Sequence, residues 1–316
     1  MEIVTHESVR RRGGGFSTCG CWYTDTEFVL KGLQIMCGIA GFVNDMPIDV
    51  KCPVLQRMTD MIAHRGPDSE GHYIDEHAAL GHRRLSIIDL GGGQQPIYNE
   101  DGSKVITFNG EIYNYQTLRE ELIAAGHTFT TKSDTEVLLH GYEQWGVDLL
   151  QRVRGMFTFV IWDKNKQELF GARDHFGIKP FYYAKMNGTF MYASEIKSLL
   201  RHPDFVKELN AEALKPYMTF QYPAIGETFF KGVYKLPEGH YFTYRDGKMD
   251  IHRYYDEDFR EGKQKLGELV NSIDQTVCDS VKAHQIADVE VGSFLSSGVD
   301  SSYVAAVARP QHTYSI

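Results

Sequence analysis

The sequence of 316 residues contains no apolar run near the roughly 18 to 20 residues that cross a bilayer, and its mean hydropathy is −0.35. No membrane partner is expected. Cysteine is scarce: Cys19, Cys21, Cys37, Cys52 and Cys278 are odd in number and lack the paired CxxC spacing of a zinc site. Such usage fits a reducing compartment, so a cytoplasmic location and no metal-ligand set are expected. Positive charge is also in deficit, with 33 Lys+Arg against 42 Asp+Glu and a net charge of −9. That balance leaves no electrostatic footprint for a phosphate backbone, and nucleic acid is not an expected partner.

What the chain does have is 42% hydrophobic composition over a length that suits two domains. Arg10, Arg11 and Arg12 suggest a twin-arginine export signal, but STCGCWYTDTE follows, with Asp25 and Glu27 where an apolar segment is required. Residues 1–36 are read as a leader outside the working protein. A mis-assigned start is favoured over a cleaved propeptide, because QIMCGIAGF (34–42) looks like a second beginning at Met36.

From Met36 to about Asp256 short β-like runs are interrupted by a few helices. KVITFNG (104–110) alternates like a strand. NYQTLREELIAAG then places Leu118, Leu122 and Ala125 at helical spacing, with Gly126 as C-cap. SDTEVLLHGYEQWG (133–146) opens on a Ser/Asp cap signal with Glu136 in the first turn. Hairpins are predicted at Asp163 to Lys166 and at Asn187-Gly188, the latter a favoured type I′ pair. Helix signals recur at EIKSLL and NAEALKPYM, and more turn-punctuated strands close this half. An α+β layered domain is expected over 37–256. Past the charged junction DEDFREGKQK, Leu266, Val270, Ile273, Val277 and Val281 define a long amphipathic helix. VEVGSFLSSGVDSSYVAAVA then reads as strand, Ser/Gly loop and helix, the first unit of a parallel α/β domain spanning 257–316 and continuing past TYSI.

If Cys37 were N-terminal, its thiol and α-amine would share one residue. An α-amine titrates near ~7.7 to 8.0 and a thiol near ~8.5, so nucleophile and general base would be combined. Alone, the stretch also suits a small buried residue opening a strand. HRRLSIID (82–89) reads as an alternating strand with Arg84 at its start, able to clamp a carboxylate or simply to face solvent. In FNGEIYN, Asn109 offers a side-chain donor and Gly110 an unobstructed N–H for an oxyanion, although NG is a common turn. Asp134 is able to bind an ammonium or to cap its helix.

Taken in order, CGIAGF, HRGPDSEG, HRRLSIIDL, QQPIYN, FNGEIYNY, SDTEVLL, GMFTFVIWD, RDHFGIKPFYY and SEIKSLL are far more specific than any one of them. Together they resemble the class II glutamine amidotransferase domain, and most closely its glutamine-dependent asparagine synthetase branch. The resemblance implies a four-layer αββα N-terminal-nucleophile (Ntn) hydrolase fold. It also implies Cys37 as nucleophile, Asn109 and Gly110 as oxyanion hole, and Arg84, Asn109, Glu111 and Asp134 as glutamine ligands. FLSSGVDSS (294–302) is similar to the SGGxDS pyrophosphate loop of ATP pyrophosphatases, with Ser297 where that pattern has glycine. Leu295, Ser296, Ser297, Gly298, Asp300 and Ser301 are the implied ATP loop.

The expected reaction is ATP- and Mg²⁺-dependent amidation of aspartate with ammonia from glutamine, carried to the second domain through an internal tunnel. A homodimer is the implied assembly. With the second domain cut short at Ile316, at most glutaminase activity is expected of this stretch of chain. Amidation of another carboxylate is the alternative within enzymes. A glutamine-sensing module built on Arg84 and Asp134 is the alternative outside them.

Overall fold

Period-two alternation of apolar residues sends one set of strand side chains between two sheets and the other set outward against helices. The computed structural model describes residues 37–222 and 226–315. Its contacts divide the chain after Glu257. The leader lies outside the described residues.

In the unit ending at Glu257, one six-stranded sheet contains β1 (Gly38–Val43), β2 (Ser69–Ile74), β3 (Ala78–Arg84), β8 (Tyr182–Met186), β9 (Thr189–Ala193) and β10 (Val233–Lys235), in the order β10-β8-β9-β1-β3-β2. The second contains β4 (Ile97–Tyr98), β5 (Lys104–Ile112), β6 (Gly155–Asp163), β7 (Glu168–Arg173), β11 (His240–Arg245) and β12 (Lys248–Arg253), in the order β12-β11-β7-β6-β5-β4. All of these strand pairings are antiparallel.

Ile39, Leu80, Val105, Val160, Trp162 and Phe242 fill the layer between the sheets. Ala40 and Phe42 point the other way, onto Val54, Leu55, Met58 and Ile62 of helix α1 (Ile48–Asp60) and its end. On the far face, Ile106, Phe108, Phe157, Phe159 and Ile161 meet Leu118 and Leu122 of α2 (Tyr115–Ala124) and Val137 to Leu139 of α3 (Asp134–Trp145). The result is the expected α+β sandwich of helix, sheet, sheet and helix. Smaller helices α4 (Ile196–Leu199) and α5 (Ala211–Phe220) complete it.

Local signals hold where backbone chemistry dominates. Asn187 and Gly188 both adopt positive φ, 49° and 82°, between β8 and β9. Gly126, at φ 103°, follows the last turn of α2: its N–H donates to Ile123 O at 3.0 Å and that of His127 to Leu122 O at 3.0 Å, a Schellman closure. Helix α1 carries Pro53 in its interior, which obscures it in the sequence. The strand expected to begin at Arg84 instead ends there. Arg84 Nη2 donates to the carbonyls of Ile88, at 3.1 Å, and Asp89, at 2.6 Å, curling the chain that follows.

The second unit holds α6 (Leu266–Ala283), β13 (Ser293–Phe294), α7 (Val299–Ala308) and β14 (Thr313–Tyr314), the two strands paired in parallel. This is the strand-loop-helix-strand unit of an α/β domain. Leu266, Leu269, Val270 and Ile273 of α6 remain exposed.

Because Leu138 is fully buried between α3 and the sheet, Leu138→Ala is expected to lower the unfolding free energy by about 2–5 kcal/mol in a denaturant titration. A loss under about 0.5 kcal/mol would contradict this packing.

Candidate active site

Strand parity aims the site. Cys37 immediately precedes β1 and shares the parity of Ile39; Arg84 shares that of Leu80 on β3; Asn109 and Glu111 share that of Val105 on β5. All four therefore face the layer between the sheets at one end of it. Gly38 pairs with Arg83, which brings Cys37 level with Arg84. The Leu85 N–H donates to Cys37 Sγ at 3.3 Å, and the thiol donates to Leu85 O at 3.4 Å.

Asn109 and Gly110 stand opposite Thr158 and Phe157 of β6. A Cβ on Gly110 would lie 2.2 Å from Met156 O and 2.7 Å from Phe157 Cα, so close strand packing itself requires glycine there. Among the described residues, both amide atoms of buried Asn109 and both carboxylate oxygens of Glu111 find no hydrogen-bond partner. Buried polar groups are nearly always paired, so these atoms mark a place for a polar ligand.

Helix α3 closes the site from its N-terminus. Ser133, not Asp134, is the cap, its Oγ accepting from Thr135 N–H at 3.2 Å. The Asp134 carboxylate is left to accept from Ile112 N–H at 3.0 Å, joining helix to strand. Gln95 braces the same corner: its Oε1 accepts from Phe108 N–H at 2.6 Å and its Nε2 donates to Thr135 Oγ1 at 3.2 Å.

An open cleft with about 430 Å³ of empty space is lined by Cys37, Arg84, Asn109, Gly110, Glu111 and Asp134, together with Leu85, Gln95 and Ser133. All six residues expected at a glutamine site are thus in one wall system, drawn from four separate segments. Burial pushes the Cys37 thiol up, against the Leu85 hydrogen bond and the charges of Arg84 and Lys179. Burial also raises Asp134 to about 6. Lys179 was not anticipated: it is 2% exposed, and its charge acts on both Cys37 and Glu111. Burial drives the lysine down and Glu111 up, each opposed by the other's charge. Its only sequence signal is membership in RDHFGIKPFYY, which carries no spacing cue.

The other expected residues lie in the second unit, remote in sequence from this cleft. Between β13 and α7, Ser296 N–H donates to Ser301 Oγ at 3.2 Å and Gly298 N–H to Ser296 Oγ at 3.3 Å. Gly298, at the N-cap of α7, supplies no side-chain cap, and the first turn of the helix is largely exposed. An uncapped helix N-terminus with hydroxyls beside it fits a phosphate group. Ser297 is not among the residues with positive φ, so its side chain brings no backbone strain.

A cysteine at the head of a central strand in an αββα sandwich, facing such a cleft, defines the N-terminal-nucleophile amidotransferase class. The chain belongs to the glutamine amidotransferase domain family, whose model matches residues 36–255; an asparagine synthase model matches residues 272–316. It is 45% identical over 281 residues to asparagine synthetase [glutamine-hydrolyzing] 1 of Bacillus subtilis, covering 88% of this chain and 44% of that protein. To amidase chry2 of Gibberella zeae it is 35% identical over 295 residues, covering 86% and 42%. The chain thus spans less than half the length of these relatives. Among solved structures, the glutamine PRPP amidotransferase of B. subtilis superimposes with a TM-score of 0.53 at 17% identity, over 86% of this chain and 64% of that one, a likeness of fold alone.

The raised Asp134 carboxyl sets a pH dependence. An ammonium ligand needs the carboxylate, which is present above about pH 6 and lost as pH falls through it. Glutamine affinity of a Cys37→Ala protein starting at residue 37 should therefore fall about tenfold per pH unit below that point. Calorimetric titration checks this, and an affinity that stays flat would remove Asp134 from the ligand set.

Proposed function

We propose that the chain carries the glutamine-hydrolysing domain and the first part of the synthetase domain of an asparagine synthetase. The observation that carries this reading is the convergence of Cys37, Arg84, Asn109, Gly110 and Asp134 on one cleft. A raised thiol is protonated at rest and needs a base. The α-amine of Cys37, free once residues 1–36 are absent, takes that proton as Sγ attacks the glutamine side-chain amide. Asn109 Nδ2 and the Gly110 N–H face the oxyanion, Arg84 holds the α-carboxylate, and Asp134 with Glu111 holds the α-ammonium. The amine returns its proton to the leaving nitrogen, ammonia departs, and water cleaves the thioester to glutamate.

In the second unit, Leu295, Ser296, Ser297, Gly298 and Ser301 would hold the pyrophosphate of ATP, and Asp300, in the first turn of α7, would face its Mg²⁺. ATP supplies activation of the aspartate side-chain carboxylate as an adenylate with loss of pyrophosphate, and ammonia attacks the acyl carbon and displaces AMP to give asparagine. The amidase relative supports a second reading in which another carboxylate is the acceptor. A cytoplasmic location and a homodimer accompany the main reading; among the described residues no helix is long and apolar enough to cross a membrane.

Intact mass read together with ammonia release tests the mechanism. Protein starting at Cys37 should release ammonia from glutamine, and leader-bearing protein should release none. Activity with the leader retained would exclude the α-amine as base. Asn109→Ala should lower kcat by about 10²- to 10³-fold, and an unchanged kcat would remove it from the oxyanion hole.

A further inference from the structure

A second group of chemistry-bearing side chains lies further along α3, outside the cleft. Glu100, His127, His140 and Glu143 place one donor atom each within 4.8 Å of one another. His140 Nδ1 is 3.1 Å from Glu143 Oε2 and 3.4 Å from Glu100 Oε2, and His127 Nδ1 is 3.5 Å from Glu100 Oε1. Zinc bonds of ~2.0 to 2.2 Å in a tetrahedron require donor separations of roughly 3.3 to 3.6 Å. Two of these three separations fall within that spacing and the third lies just below it. The four single donors all lie within 4.8 Å, so an ion would draw them together and take one oxygen of Glu100, whose two oxygens face the two histidines.

The outer atoms of the same side chains are engaged as well. His140, whose side chain is fully buried, turns Nε2 toward Glu136 Oε1 at 3.6 Å, and His127 Nε2 lies 3.3 Å from Gln144 Oε1. Glu136 is itself held by the backbone N–H and hydroxyl groups of Thr130 and Thr131. Glu143 Oε1 accepts from Asn99 Nδ2 at 2.7 Å and Lys104 Nζ at 3.3 Å, while Glu100 Oε1 accepts from Thr128 N–H at 3.0 Å. Glu100, Glu143 and His127 are thus held from behind by hydrogen bonds, His127 through its second ring nitrogen, as in metal sites whose outer partners fix tautomer and orientation, while His140 Nε2 makes only the longer 3.6 Å approach to Glu136.

We propose that Glu100, His127, His140 and Glu143 form a structural zinc site. Two carboxylates and two imidazoles balance a dication, and four protein ligands leave no open catalytic position. Nitrogen donors disfavour Mg²⁺ and Ca²⁺, which take oxygen. The bound ion ties the turn after β4 and the segment after α2 to α3, the helix that presents Asp134. The rival occupant is a proton, which would leave His140 as an imidazolium among carboxylates.

The test uses the full chain, stripped by chelator, dialysed against Zn²⁺ and then against metal-free buffer, with metal content and melting temperature measured. The expected result is one zinc per chain and a raised melting temperature, both lost in His127→Gln and in Glu100→Gln, two side chains not fully buried. Gln144→Ala should weaken binding roughly tenfold or more. Co²⁺ in place of zinc should give a visible ligand-field band without a thiolate charge-transfer band. Equal zinc retention by wild type and both variants, a thiolate band, or no retained zinc at all would overturn the proposal. The last outcome leaves the proton as occupant.

Discussion

The two-residue repeat of the strand is the constraint on which the rest depends. Because Cys37, Arg84 and Asn109 share parity with Ile39, Leu80 and Val105, the packing that fills the inter-sheet layer also sets the direction of the reactive side chains. A one-residue slip of β1 or β5 would carry Cys37 or Asn109 to the helix-facing side. Core register and site geometry are therefore one property of the sandwich.

The same economy governs the charges. Arg84, Lys179, Asp134 and Glu111 are all largely buried around a thiol, and burial moves the two carboxyl groups upward and the lysine downward. Glu111 and Lys179 oppose each other's shifts, while the Asp134 charge adds to the rise of Glu111. A zwitterionic ligand such as an amino acid would bring one opposite charge to the guanidinium and one to the carboxylates, which fits a cleft of mixed sign better than an anion or a cation alone.

Helix α3 serves both the cleft and the second cluster. Its N-terminal residue lines the cleft, its buried face holds Leu138 against the sheet, and its later turns carry His140 and Glu143. Ser133 caps it, so Asp134 is not consumed by capping and its carboxylate remains at the cleft wall.

Local chemistry alone determined the hairpin at Asn187-Gly188, the close of α2 at Gly126 and the helix opening at Ser133, because turns and caps depend on a few adjacent backbone groups. Motif order also made the six cleft residues legible. Only the tertiary structure decided the rest. It ended β3 at Arg84, since the following curl depends on carbonyls that the guanidinium reaches. It brought the charge of Lys179 to bear on Cys37, since proximity across 142 positions of chain leaves no spacing signal. It also gathered Glu100 and His127 onto α3, because donor sets built from loops and a helix take their spacing from packing and not from sequence.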